Sequence, residues 1–142
     1  MYSARASYVT AAVETAAPAK LVTMLFDRLL LDVDRASAAF ERGETLEGRT
    51  LVQHAQDIVA ELMASLDVAA WEGGPALMSV YAFLYSSLVD AALTSDVATL
   101  ASCRELIASL TATWHEAAEL AVAGTAPAAA ATPAGAGLLG IG

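Results

Sequence analysis

Cysteine is almost missing from this chain: Cys103 stands alone, which rules out an internal disulfide and agrees with a reducing compartment. Basic residues are scarce as well, 7 against 16 acidic for a net charge of −9, and Lys and Arg nowhere cluster. Nucleic acid and anionic membrane surfaces are thereby poor partners. Histidine occurs only at His54 and His115, and three residues before them stand Leu51 and Ala112. The Glu-x-x-His pairs of a di-iron helical bundle are therefore missing. One cysteine and two distant histidines match no zinc spacing, and no motif around Cys103 marks it as a nucleophile; a small buried residue is the expectation there. Gly73 and Gly74 lack the strand, the further glycines and the lysine of a phosphate-cradling loop. No metal or cofactor is expected, and nothing argues for an enzyme.

What is abundant is apolar surface: 57% of residues are hydrophobic but only 6% aromatic, and Ala and Leu outnumber the β-branched types. Helix is the favoured local state. Residues 1–16 read as a short N-terminal arm anchored by Tyr2, Tyr8, Val9 and Val13. Pro18 fits the first turn of a helix, and a one-faced apolar pattern from Leu21 to Phe40 predicts that helix over 17–42. Three more follow at 44–67, 75–94 and 96–122, the last capped by Ser95 and Asp96. Short connections between long helices favour antiparallel neighbours, so an all-α, antiparallel four-helix bundle over 17–123 is expected. Residues 124–142, an Ala, Pro and Gly tract, read as a disordered tail in which Leu138, Leu139 and Ile141 form a passive end or a docking tip.

The first twenty residues include Arg5, Glu14 and Lys20 and do not resemble a secretory signal, so a cytoplasmic location is expected. The run from Ala76 to Leu93 is apolar enough to raise a membrane span, but it contains Asp90 and three serines among amphipathic neighbours. No insertion is expected. Trp71, Glu72 and Gly73 spell the W-x-G turn of small secreted helical hairpins, yet two more patterned helices follow, and a chance turn with an aromatic plug explains it better.

The second helix is unusual. Leu51, Ala55, Ile58 and Leu62 form one line along it while Val52, Val59, Met63 and Leu66 form another. Together they cover an arc of about 140°, wider than the ~100° stripe of a helix on a globular core. The third helix likewise has Leu77, Tyr81, Leu84, Leu88 and Ala92 on one line with Met78, Tyr85 and Val89 beside it. Such a surplus marks a partner site, a core in which both helices are central, or a homodimer seam.

The segments "PAKLVTMLFDRLL", "AQDIVAELMASLD", "LMSVYAFLYSSLVDAAL" and "LASCRELIASLTATWHEA", in that order after an early tyrosine arm, resemble the FliS family of flagellar secretion chaperones over Tyr8 to Glu119. Arg28 stands where that family commonly has glycine, Ala17 where it has Ser or Thr, and Ala92 where asparagine is usual. The resemblance implies a chaperone that holds the disordered C-terminal segment of flagellin before type III export, with contacts to export apparatus components. It places the client in a groove lined by Ala55, Ile58, Val59, Leu62 and Leu66 with Tyr81, Leu84, Tyr85 and Leu88, with Gln56 bonding the client backbone at the edge. Tyr8, Val9 and Val13 would cover part of that surface until the client displaces them, or serve as a staple for the first helix. A bundle that self-associates through the same patch is the alternative.

Overall fold

The computed structural model describes the backbone of residues 4–125 and the side chains of residues 19–121. Among the described residues there are four helices and no strand: α1 (Ala4–Glu41), α2 (Thr45–Ser65), α3 (Gly74–Thr94) and α4 (Val97–Thr125). Each of α1 and α3 packs against both α2 and α4, so α1 and α3 occupy one diagonal of a bundle. Cross-links from Asp27 to His115 and from Asp34 to Arg104 run in opposite chain directions, which makes α1 and α4 antiparallel.

The expected arm over 1–16 differs from what is observed, because α1 already runs from Ala4 and Pro18 falls inside it. The segment is rich in alanine and has no glycine before Gly43, so intrinsic preference continues the helix backward past the proline. The side chains of Tyr8, Val9 and Val13, and the whole tail beyond Thr125, lie outside the described residues. The other helix ends fall within three residues of their expected positions.

The first turn has a specific cause. Gly43 adopts φ 78°, a left-handed conformation open to glycine. Its amide bonds the Phe40 carbonyl at 3.0 Å and the next amide, Glu44, bonds the Ala39 carbonyl at 2.8 Å, closing the end of α1 in a Schellman motif. Arg42 then pairs with both Glu44 and Glu47, and its guanidinium holds the Glu44 carboxyl down at about 2. Downstream, Leu66 turns to extended backbone and ends α2, and Asp96 caps α4 by accepting from the Ala98 amide at 2.9 Å and the Thr99 hydroxyl at 2.8 Å.

The core is built from the predicted lines. Phe26, Leu29, Val33 and Ala36 of α1 meet Val52, Ala55, Ile58, Val59 and Leu62 of α2, Tyr81, Leu84, Leu88 and Ala91 of α3, and Leu100, Cys103 and Ile107 of α4. Cys103 is buried, and burial pushes its thiol up. The arc on α2 that looked like surplus is largely consumed here: a bundle helix touches two neighbours, so its apolar face must span both. One carboxylate is also inside. Asp32 is fully buried and accepts from Arg28 Nε at 3.1 Å, one turn earlier on α1, and from His54 Nδ1 on α2. Arg28 thus supplies a charge partner to a buried group.

Gly48 is buried where α2 meets the Phe40 ring, and an added Cβ would stand 2.4 Å from the ring's Cε1. Gly48→Ala gains about 1 kcal/mol of helix propensity, but overpacking typically costs about 1–3 kcal/mol. The urea midpoint of Gly48→Ala is expected to fall, and Phe40→Leu added to it is expected to restore part of the loss. A higher midpoint for the single variant would show that the ring yields without strain.

Candidate functional site

The α2–α3 seam is where the expected groove residues lie, and the structure divides them sharply. Ala55, Val59, Leu84 and Leu88 are completely buried, and Ile58, Leu62 and Tyr81 are nearly so. These seven side chains build the bundle core in this conformation and do not line an open groove. Their apolar spacing is the same as that of a surface stripe, which is why periodicity alone does not separate the two. Gln56 and Leu66 are half-buried at the edge, and Tyr85 is exposed.

Rotation of α3 settles which tyrosine faces in. Tyr81 packs against Phe26 with ring centroids 6.3 Å apart, and Phe26 stacks on Trp114 of α4 at 6.2 Å. Tyr81 is 2% exposed, its ring enclosed by this cluster. With Tyr81 held inward, Tyr85, one turn plus 40° further on, lies near the rim of the seam.

The outer surface of α3 exposes large apolar side chains, as does that of α1 at Leu21, Met24 and Leu31. Phe83 is 62% exposed and Leu93 73% exposed. Asp90 is the helix's one charge. On this helix the apolar residues go all the way round, so the two lines expected on it continue to Phe83 and Leu93 on the outside. Beside them runs a shallow cleft lined by Arg49, Gln53, Gln56, Val89, Ala92 and Leu93. Arg49 Nε donates to the Ala92 carbonyl at 3.1 Å, placing a cation at the C-terminal end of α3, where the helix dipole favours one. The two glutamine amides are the cleft's neutral hydrogen-bonding groups.

Such a surface is suited to holding an apolar segment whose backbone is steadied by amides, with charge playing little part. Helix α3 is long and apolar enough to cross a membrane by length and composition, yet Tyr81, Leu84, Leu88 and Ala91 face the bundle core. Among the described residues no group of His, Cys, Asp and Glu is placed to hold a metal ion. Glu116 and Glu119 are both exposed on α4.

Burial pushes the Tyr81 phenol up to about 12, with the Trp114 indole acting in the opposite direction. An unfolded tyrosine titrates near about 10, so the neutral phenol's contribution to stability is complete below that pH and is lost as pH rises toward 12. The denaturation midpoint of the protein is expected to drop across this window relative to that of Tyr81→Phe. Parallel pH curves would show a phenol in contact with water.

A search of curated proteins finds no match. A family model does match: that of the flagellar protein FliS, over residues 1–121 of the 142. The match takes in all of α1, α2 and α3 and most of α4, including every described residue of the α2–α3 seam, and the chain belongs to the FliS flagellar protein family.

Proposed function

We propose that this protein is a cytoplasmic chaperone of flagellar export that holds the C-terminal segment of a flagellin along the α2–α3 seam and keeps it from polymerising before secretion. Membership of the FliS family supplies the coarser part, an export chaperone and not an enzyme. The observation that carries the finer part is the apolar edge of α3 beside α2, where Tyr85 and Leu93 are exposed and Val89 and Ala92 half-buried. Helices that filament subunits bury against one another are apolar on one face, and such a segment, still unassembled, needs a cover of the same chemistry.

In this account Tyr85, Val89 and Leu93 receive the client's apolar side chains, while Gln53 and Gln56 bond its backbone where it is not yet helical. Leu66 marks the lower end of the seam, where α2 stops. Ala55, Ile58, Val59, Leu62, Tyr81, Leu84 and Leu88 act from beneath by setting the spacing and rotation of the two helices. Tyr8, Val9 and Val13 remain part of the proposal as a cover displaced by the client. Ordering the client costs roughly 2–5 kcal/mol of the gross interaction, which a long apolar contact offsets. With a protein charge of −9 and one acidic group on α3, added salt should change affinity little.

The alternative, self-association through the same face, is favoured by the exposure of Phe83 and Leu93 themselves. Calorimetric titration with a peptide from the C-terminus of a flagellin of the same cell tests both. A 1:1 isotherm with negative heat-capacity change is expected, weakened at least about tenfold, equivalent to 1.4 kcal/mol, by Tyr85→Asp or Leu93→Asp in variants that keep their helical signal. Undiminished binding by both variants would remove the seam as the site. Absence of binding, together with a mass that doubles with concentration, would favour the dimer.

A further inference from the structure

We propose that the cleft at the upper end of the α2–α3 seam is a carboxylate site, in which Arg49 takes the chain-terminal carboxylate of the client and so fixes the direction in which the client lies. This deepens the chaperone function proposed above and rests on it. Positive charge is rare on the molecule, 7 basic residues against 16 acidic. Among the described residues Arg28, Arg42 and Arg104 are each paired with a carboxylate, whereas Lys20, Arg35 and Arg49 are in no ion pair. Lys20 and Arg35 stand on α1, and of the three only Arg49 lines the cleft, beside Gln53, Gln56, Val89, Ala92 and Leu93.

The Arg49 side chain is anchored but not used up. Its Nε donates to the Ala92 carbonyl at 3.1 Å. A guanidinium has five N–H donors, so the two terminal nitrogens keep four. They form the planar fork that meets both oxygens of a carboxylate. Anchoring at Nε also leaves less side-chain freedom to lose when a ligand arrives.

The rest of the lining matches a peptide end. Gln53 and Gln56 supply uncharged donors and acceptors, Val89 and the 73% exposed Leu93 supply an apolar wall, and the six lining residues include no acid beyond Glu-free α3 and α2 surface. Asp90, the one acidic group of α3, is about 160° round the helix from Ala92. The negative end of the α3 dipole, about half a charge, is outweighed by the full charge of the guanidinium. On a chain of net charge −9 an anionic group is repelled elsewhere, and this cation gives it a place.

Position favours a terminal carboxylate over a side-chain one. Arg49 is in the second turn of α2, and Ala92 and Leu93 are in the last turn of α3, so the cleft closes one end of the seam. From Arg49 to Leu66 the seam runs about 26 Å. A client ending at Arg49 has that whole length for its preceding residues, about eight if extended or about seventeen if helical. A carboxylate in mid-segment would push half of the client past the end of the seam. One pair at one end adds direction and leaves the bulk of the contact apolar.

Calorimetry on the full chain, with peptides of the last twenty or so residues of a flagellin from the same cell carrying a free or an amidated carboxyl end, tests the assignment. Amidation is expected to weaken binding about tenfold, and Arg49→Gln, which keeps an amide donor for the Ala92 carbonyl, to weaken the free-acid peptide by a similar factor. In Arg49→Gln amidation should cost nothing more, because both changes remove one contact. Arg49→Lys should recover part of the loss, as a charge without the fork. A nitroxide near the peptide's carboxyl end should broaden the amides of Gln53 and Leu93 more than that of Leu66. Equal binding of the two peptides, an amidation penalty that persists in Arg49→Gln, or stronger broadening at Leu66 would each overturn the proposal. Peptides that bind without regard to their end remove this inference alone, whereas failure of every peptide to bind removes the chaperone reading with it.

Discussion

The contact of Phe26 with Tyr81 spans the diagonal of the bundle, and the orientation of the functional face depends on it. Phe26 is fully buried on α1, meets Tyr81 of α3 on one side and stacks on Trp114 of α4 on the other. A helix can satisfy its apolar pattern at several rotations when that pattern goes all the way round, as it does on α3. The aromatic cluster of Phe26, Tyr81 and Trp114 chooses one rotation. Tyr85 then lies toward the seam and Phe83 toward solvent, so a core interaction determines which apolar groups a partner meets.

Polar links are distributed unevenly round this core. Helix α1 is tied to α2 through the buried Asp32 and His54, and to α4 through Asp27 with His115 at 2.6 Å and Asp34 with Arg104 at 2.9 Å. Among the described residues no ion pair joins α3 to a neighbour, and its polar link to another helix is the Arg49 bond to the Ala92 carbonyl. Exposed pairs contribute little individually, but the buried Asp32 strongly specifies how α1 and α2 register, because a misplaced α2 would leave a carboxylate inside with one partner fewer. Helix α3 is held chiefly by apolar packing, which suits the element that also presents an apolar surface.

Much of this was legible in the sequence. Four helices, their punctuation at Gly43, Pro75 and Asp96, and the core lines follow from spacing and capping chemistry, which are local. The start of α1 was not, because Pro18 is equally at home in a first turn and, at a cost, within a helix whose alanines favour continuing. The arc on α2 is compatible from its spacing with a partner site, a central core position or a dimer seam, and in the bundle most of it serves two neighbours at once. Asp32 with His54 escaped notice because a carboxylate at 32 and an imidazole at 54 look like ordinary polar positions until α1 and α2 are packed together. The choice between Tyr81 and Tyr85 depends on Phe26 and Trp114, residues 55 and 33 positions away from Tyr81, and no local pattern reports it.

The central claim is that a client is held on the outside of an intact bundle, along the α2–α3 seam, with the core residues supporting it from below. Amide hydrogen exchange of the protein with and without a flagellin C-terminal peptide tests this most directly. Slower exchange on α3 from Phe83 to Leu93 and on α2 around Gln53 and Gln56, with amides beside Phe26, Leu29 and Ile107 unchanged, is the predicted result. Faster exchange at those core positions on binding would mean that the bundle opens and the client enters between its helices, which contradicts the account.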